Sequence, residues 1–254
     1  MSGRLAGRIA VVSGGSRGIG EACAGALAAE GARVVIIGRK QPGLDAALGR
    51  LDPQGTGAVL ARACHVGRPD DVAALFDWID AEVGQVDVLV NNAATNPYLG
   101  PMLQVSDAAW DKTFEVNVKG TFALIREVSR RLLTAGKPGS IINMTSVFGL
   151  RGAPLQGVYA MTKASIVSLT KTLAAELGGA GIRVNAVAPG LVDTRFAAAL
   201  TSQPEALRYF TERAAAGRIA QPAEIAGMVV YLASDEASFV TGQTLAVDGG
   251  FLAV

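Results

Sequence analysis

The chain has 254 residues, of which 50% are hydrophobic, and its 23 basic and 22 acidic residues give a formal net charge of +1. This balance, without runs of like charge, excludes the basic footprint of a nucleic-acid binder and the polybasic patch of a membrane-surface protein. No apolar run approaches the ~18 residues of a membrane span, and no signal-peptide pattern is visible. We therefore expect a soluble, cytoplasmic protein with neither a nucleic-acid nor a membrane partner.

Histidine is rare in this chain, which limits the chemistry available to it. His65 is the only histidine, so a histidine metal cluster is excluded, and the sequence predicts no metal site. Proton chemistry near neutral pH would have to use another side chain, tuned for that task.

Seven apolar, β-rich runs alternate with helical patterns along the chain. The predicted strands are 8–13, 33–38, 58–63, 86–91, 139–146, 182–189 and 243–249. The predicted helices are about 18–30, 42–50, 69–83, 106–134, 156–178 and 222–233. Because the strands are apolar on both faces and are separated by helices, the sequence predicts a parallel sheet covered on both sides, the doubly wound α/β class.

The regular alternation is interrupted once, late in the chain. No linker or repeat divides the series, so a single domain over 1–254 is predicted. The segment 194–221 is a long insertion between the sixth strand and the last helix. It has two interpretations: a substrate lid at the carboxyl ends of the strands, or a helical pair that simply packs on the surface.

A glycine-rich turn follows the first predicted strand. The sequence SGGSRGIG places Gly14, Gly18 and Gly20 between that strand and the first helix. Such a turn lets the backbone approach a pyrophosphate, which then meets the free N–H groups of the helix N-terminus. The position of this turn, more than its pattern, predicts a dinucleotide site.

Basic residues mark the end of the second predicted strand. A carboxylate there would accept a hydrogen bond from the ribose 2′-hydroxyl of NAD. The chain instead has Arg39 and Lys40, and Arg17 in the glycine turn points to the same place. These cations favour the 2′-phosphate of NADP(H), although solvated cations at a strand end are the alternative.

A phenol and an ammonium occur together in the predicted helix 156–178. Tyr159 and Lys163 are four residues apart, so they share one helix face. The pair alone is consistent with either an ordinary surface contact or an active site.

Taken together, these motifs resemble the short-chain dehydrogenase/reductase family in its NADP-preferring branch. The resemblance spans nearly the whole chain and rests on motifs in the family's order. They are SGGSRGIG, NNAA (91–94), NVKG (117–120), NMTSVFG (143–149), YAMTK (159–163), VNAVAPGLVDT (184–194) and VDGG (247–250). It implies a Rossmann-type fold with a seven-stranded, mostly parallel sheet, and a homotetramer assembled through the two long helices and the C-terminal segment.

The resemblance also assigns roles to individual residues. Tyr159 would be the acid/base, Lys163 its partner, Ser146 the hydroxyl that holds the substrate oxygen, and Asn117 the holder of a proton-relay water. The residues assigned to the cofactor are Gly14, Ser16, Arg17, Gly18, Ile19, Gly20, Arg39, Lys40, His65, Val66, Asn92, Ala93, Tyr159, Lys163, Pro189, Gly190, Val192 and Thr194.

The chain departs from the family pattern at His65, where an aspartate usually accepts a hydrogen bond from the adenine amino group. A neutral imidazole nitrogen could accept the same bond, whereas an imidazolium could not. We therefore hypothesise that the His65 ring binds adenine and that its protonation weakens cofactor binding. A strand-end histidine facing solvent is the alternative.

The expected reaction is the interconversion of a ketone or aldehyde with an alcohol. The segments CHVG and NAATNPYLGP (92–101) resemble NADP-dependent carbonyl and retinal reductases, and the general pattern also resembles bacterial 3-oxoacyl thioester reductases. An apolar lining over 95–99, 147–155 and 194–221 predicts a lipophilic carbonyl substrate. The alternatives are a 3-oxoacyl thioester reductase and, in another class, a redox-silent NADP-binding regulator.

Overall fold

The computed structural model describes residues 3–253, and its centre is a seven-stranded sheet. The strands are β1 (Ile9–Ser13), β2 (Arg33–Gly38), β3 (Val59–Ala63), β4 (Val88–Asn91), β5 (Gly139–Met144), β6 (Ile182–Pro189) and β7 (Thr244–Val247). Every pairing in this sheet is parallel, in the order β3-β2-β1-β4-β5-β6-β7. The predicted doubly wound α/β, Rossmann-type fold is confirmed, with a sheet that is parallel throughout.

Helices connect the strands and cover both faces of the sheet. They are α1 (Gly18–Ala29), α2 (Gln41–Leu51), α3 (Pro69–Glu82), α4 (Asp107–Phe114), α5 (Thr121–Ala135), α6 (Gly157–Leu177), α7 (Ala198–Thr201), α8 (Pro204–Arg213) and α9 (Pro222–Ala233). Most ends lie within one or two residues of the predicted ones, because the apolar strands and the proline or glycine residues at their borders are local signals. No helix within residues 3–253 is both long and apolar enough to cross a membrane.

Two hydrophobic layers explain why the strands are apolar on both faces. In β2, Val34 and Ile36 join the layer beneath α1 and α9, whereas Val35 and Ile37 join the layer beneath α3 and α5. Successive residues of a strand point to opposite faces, so each strand supplies both layers. All four side chains are fully buried.

The predicted helix 106–134 was wrong in its middle. The structure has two α-helices there, α4 and α5, joined by a π-helical turn over Glu115–Gly120. Asn117 lies in this turn and exchanges hydrogen bonds with the peptide group of Thr95, which follows β4. A π-helical turn holds an extra residue, and the contacts that favour it come from a distant segment. Local periodicity therefore could not reveal it.

The strand order changes direction between β1 and β4, and this opens a crevice. From β1 the chain runs first to β2 and β3 on one side, and then crosses to β4 on the other. The loops after β1 and β4 consequently separate at the carboxyl ends of the strands, which is where open α/β sheets bind ligands.

Candidate active site

A cavity of about 330 Å³ occupies this crevice. The glycine turn after β1 lies on its wall, as do the loops after β4, β5 and β6 and part of α6. The predicted site residues on the wall are Gly14, Ser16, Arg17, Gly18, Ile19, Arg39, His65, Val66, Asn92, Ala93, Ser146, Tyr159, Lys163, Pro189, Gly190, Val192 and Thr194. Residues from seven separate segments thus meet at one place.

The glycine turn is shaped for close approach of the backbone. Gly14 has a φ of +66°, and a Cβ on it would lie 2.8 Å from Asn92 Nδ2. Ser13 joins the turn to the loop after β4, since its hydroxyl accepts hydrogen bonds from the N–H groups of Asn92 and Ala93 at 3.0 Å. α1 begins without a side-chain cap, so its first N–H groups are free for an anion. This geometry fits a pyrophosphate.

Two predicted cofactor residues, Gly20 and Lys40, do not lie on the cavity wall. Gly20 is buried within α1 beneath the turn, where a Cβ would collide with the carbonyl group of Gly14. Its role is therefore to let the helix pack closely. Lys40 is exposed at the start of α2, where the chain turns away from the cavity.

Of the three cations predicted for the 2′-phosphate, Arg17 and Arg39 line the cavity. Both are exposed, and neither forms an ion pair with any residue in 3–253. Their charges are thus free for an anionic ligand at this end of the cavity.

Tyr159 and Lys163 are buried together at the other end. Both lie on one face of α6, and Lys163 Nζ lies 5.5 Å from the centre of the Tyr159 ring. The ammonium donates a hydrogen bond of 2.7 Å to the carbonyl oxygen of Met144, the last residue of β5. The hydroxyl of Thr145 donates to the carbonyl oxygen of Lys163 at 2.8 Å. These bonds hold α6 against the end of β5.

Burial governs the protonation of this pair. It raises the pKa of Tyr159 above its ordinary value, and a hydrogen bond with the Ser146 side chain opposes the rise only in part. Burial also lowers the pKa of Lys163 to about 8. A neighbouring ammonium favours the phenolate and so lowers the pKa of a phenol, but in the protein alone burial is the larger effect on Tyr159. At neutral pH the phenol carries its proton, as a proton donor must.

Asn117 lies behind the cavity wall and does not line it. Its side chain is 1% exposed. Its amide nitrogen donates to the Thr95 carbonyl and to the Thr162 hydroxyl, both at 3.0 Å, while its oxygen accepts from Thr95 N–H at 2.8 Å. The side chain thus anchors the loop after β4 to α6. Any relay water would have to bind beside these contacts.

His65 lies on the wall, but its ring is already engaged by the protein. Nδ1 accepts a hydrogen bond of 3.1 Å from Gly67 N–H, so a neutral ring carries its proton on Nε2. Nε2 lies 3.4 Å from the ammonium of Lys112. Burial, with Lys112 as a smaller cause, lowers the pKa of His65. The ring is neutral as expected, but it lacks the free acceptor that the adenine hypothesis requires.

The structure also adds wall residues that the sequence did not indicate. They include Cys64, Val116, Met144, Gln156 and Leu191. Gln156 had a recognisable signal, since it precedes Tyr159 by three residues and therefore shares its helix face. The others are apolar or small residues that resemble ordinary core positions. No group of three or more His, Cys, Asp or Glu side chains suited to a metal ion occurs within residues 3–253.

Residues 14–252 match the protein family described as enoyl-(acyl carrier protein) reductase. Dehydrogenase/reductase SDR family member 4 of Homo sapiens is 37% identical over 246 residues, which cover 97% of this chain and 88% of that protein. L-xylulose reductase of Bos taurus is 40% identical over 255 residues, with 98% of each chain covered.

Solved structures agree with these relatives. The gluconate 5-dehydrogenase from Burkholderia cenocepacia J2315, in complex with NADP and tartrate, is 35% identical with a TM-score of 0.93, and the match covers 99% of this chain and 97% of that one. A short-chain type dehydrogenase/reductase from Mycobacterium ulcerans is 32% identical with a TM-score of 0.93, covering 98% and 91%. The chain therefore belongs to the short-chain dehydrogenase/reductase family and is an oxidoreductase acting on CH–OH and C=O groups.

Proposed function

We propose that this protein is an NADP(H)-dependent reductase of lipophilic carbonyl compounds, with Tyr159 as the acid/base. The observation that carries the proposal is the layout of one cavity. Ser146 follows β5 and Arg39 follows β2, on opposite sides of the crevice between β1 and β4. Tyr159 and Lys163 therefore line the cavity at the Ser146 end, the reacting end, and Arg17 lines it at the Arg39 end. A dinucleotide with a 2′-phosphate suits this layout, because its charged end meets the two guanidinium groups.

The residues present suit the charged groups of NADP(H). The Gly14 turn and the uncapped N-terminus of α1 would hold the pyrophosphate, and Arg17 and Arg39 would hold the 2′-phosphate. The NADP-bound gluconate 5-dehydrogenase supports this choice of cofactor. When bound, the nicotinamide supplies the hydride.

The side chains at the reacting end bind the substrate oxygen and supply its proton. In reduction, the protonated phenol of Tyr159 donates its proton to that oxygen. Ser146, held by a bond from Phe148 N–H to its hydroxyl oxygen at 3.2 Å, donates a second hydrogen bond as negative charge develops. The Lys163 ammonium stabilises the phenolate that Tyr159 becomes. Asn117 positions the loop that closes this end.

We propose that residues 194–221 form the substrate lid. Phe196 lies 5.9 Å from the Tyr159 ring, measured between ring centres. Leu200 of α7 and Phe210 of α8 also line the cavity. These apolar side chains would cover a lipophilic substrate and exclude water from the proton donor.

A nicotinamide absorbance assay tests the function. Purified protein should oxidise NADPH in the presence of an aromatic ketone, an aromatic diketone, retinal or acetoacetyl thioester, and should use NADH at least about tenfold less efficiently. The double variant Arg17→Ala/Arg39→Ala should lose this preference, whereas Lys40→Ala should keep it. Selective use of the thioester would favour the 3-oxoacyl reductase. Tight NADPH binding without turnover would favour the regulator and contradict the proposal.

We also propose that the protein forms a homotetramer through α5 and α6. Phe122 and Leu133 on α5 and Met161 on α6 are exposed large apolar side chains, as expected of an interface. Light scattering should give four times the chain mass of 26.0 kDa. Leu133→Glu should lower that mass. Leu103→Glu should not, because the Leu103 side chain is fully exposed in the segment between β4 and α4. A single-chain mass for the wild type would contradict the proposal.

A further inference from the structure

Two amide side chains form a polar pair on the wall of the otherwise largely apolar reacting end. Gln156 is the residue that precedes α6, and it is 8% exposed. Asn96 Nδ2 donates a hydrogen bond of 3.2 Å to Gln156 Oε1. Both side chains line the cavity. Gln156 is buried and Asn96 is half-buried, so a ligand that fills the cavity would remove their remaining polar groups from water.

The contact leaves one amide nitrogen and one amide oxygen without a hydrogen-bond partner. Gln156 Nε2 and Asn96 Oδ1 form no hydrogen bond with any residue in the described part of the chain. Exchanging nitrogen and oxygen in both amides reverses their mutual bond, but it still leaves one donor and one acceptor. The chemical complement of this pair is a group that both donates and accepts, which is a hydroxyl.

The pair lies close to the proton donor. Gln156 precedes Tyr159 by three residues, which corresponds to about 4.5 Å along the helix and to the same helix face. Asn96 follows Thr95, whose peptide N–H and C=O are both bonded to the Asn117 side chain. Both amides are therefore attached to segments that hold the site together, the start of α6 and the loop anchored by Asn117.

We propose that Asn96 and Gln156 form a subsite for a hydroxyl group on the carbon next to the reacting carbonyl. The preferred substrates are then α-hydroxy ketones or aldehydes whose other substituent is apolar and contacts Leu99, Phe148 and Phe196. This inference rests on the proposed reductase function. A bound substrate that lacks the hydroxyl covers the two amides without forming hydrogen bonds to them, and that loss discriminates against it.

Three ketones with NADPH test the subsite. They are 2-hydroxyacetophenone, 2-methoxyacetophenone and propiophenone, in which the α-substituent is a hydroxyl, a methoxy that only accepts, and a methyl that does neither. The measured quantity is kcat/KM for the hydroxyl ketone divided by that for propiophenone. In Gln156→Met and in Asn96→Leu this ratio should fall about tenfold relative to the wild type. Differences in intrinsic ketone reactivity cancel, because every enzyme reacts with the same ketones.

The control and the outcomes separate this inference from the reductase proposal. Gln104→Met changes an exposed glutamine outside the cavity, so the ratio should stay at the wild-type value. If all three ketones are reduced and neither cavity variant changes the ratio, the subsite is wrong and the reductase stands. If the wild type reduces other carbonyl compounds but none of these ketones, the subsite is also wrong. If no carbonyl compound of any class oxidises NADPH, the reductase proposal fails, and the subsite fails with it.

Discussion

Replacing Tyr159 with phenylalanine should lower kcat about 10³-fold and leave NADPH binding nearly unchanged. The substitution removes a single oxygen atom and keeps the ring that packs beside Phe196. Ser146 can still donate a hydrogen bond to the substrate oxygen. Without the Tyr159 hydroxyl, however, no acid remains beside that oxygen to transfer a proton to it. Turnover of the best carbonyl substrate and a fluorescence titration with NADPH measure the two quantities separately.

The control for this variant is Tyr209→Phe. Tyr209 is an exposed aromatic residue of α8 that packs against Phe210 and Phe251, and it does not line the cavity. Loss of the Tyr209 hydroxyl should change kcat by less than about twofold. Turnover in Tyr159→Phe that stays within about threefold of the wild type would exclude proton transfer by this phenol. Equal loss of NADPH binding and turnover would instead indicate a structural defect.

Replacing Lys163 with methionine should have opposite effects on activity and stability. Activity should fall about 10²-fold or more, because the phenolate formed at Tyr159 loses the neighbouring positive charge. The free energy of unfolding at pH 7 should nevertheless rise by about 2 kcal/mol. The drop of the lysine pKa from 10.5 to about 8 corresponds to about 3 kcal/mol, and loss of the bond to Met144 returns about 1 kcal/mol.

The stability gain of Lys163→Met should depend on pH, because the Lys163 pKa differs between the folded and unfolded states. The folded protein releases the Lys163 proton near pH 8, whereas the unfolded chain keeps it until about pH 10.5. Between these values the unfolded chain binds more protons, so the stability contributed by this group rises with pH. The advantage of Lys163→Met is therefore complete below about pH 8 and shrinks as the pH approaches about 10.5.

Denaturant unfolding at pH 7 and pH 10 measures the stability difference. Lys171→Met is the matched control, because Lys171 is an exposed residue of the same helix. Its unfolding free energy should differ from the wild type by no more than about 0.5 kcal/mol at both pH values. A destabilised Lys163→Met protein at pH 7 would mean that the buried ammonium is a net stabiliser, contrary to the desolvation argument.

The burial of Lys163 illustrates why a functional site can lower the stability of a protein. Lys163 has no carboxylate partner among the described residues and bonds a carbonyl oxygen instead. A core lysine of this kind is retained against its desolvation cost, which is typical of functional positions. This is the physical reason to expect that the most active variant is not the most stable one.

Tertiary contacts determine three features of the site that sequence periodicity does not reveal. The π-helical turn at Glu115–Gly120 depends on the peptide group of Thr95, which is 22 residues before Asn117. The surroundings of His65 Nε2 depend on Lys112 of α4, which is 47 residues away. The Gln156 subsite becomes visible only when Asn96, 60 residues away, is placed beside it. Each of these features rests on a contact between segments that no local pattern links.

The sequence by itself determined the fold class and most helix and strand ends. It could do so because burial on both strand faces, helix periodicity and the glycine turn are local consequences of residue type. The roles predicted for individual site residues came from the family resemblance of the motifs. The tertiary structure alone decided that Arg17 and Arg39, but not Lys40, line the cavity, and that Tyr159 keeps its proton. Which side chains line the cavity, and how far burial shifts a pKa, are decided only when distant segments pack together.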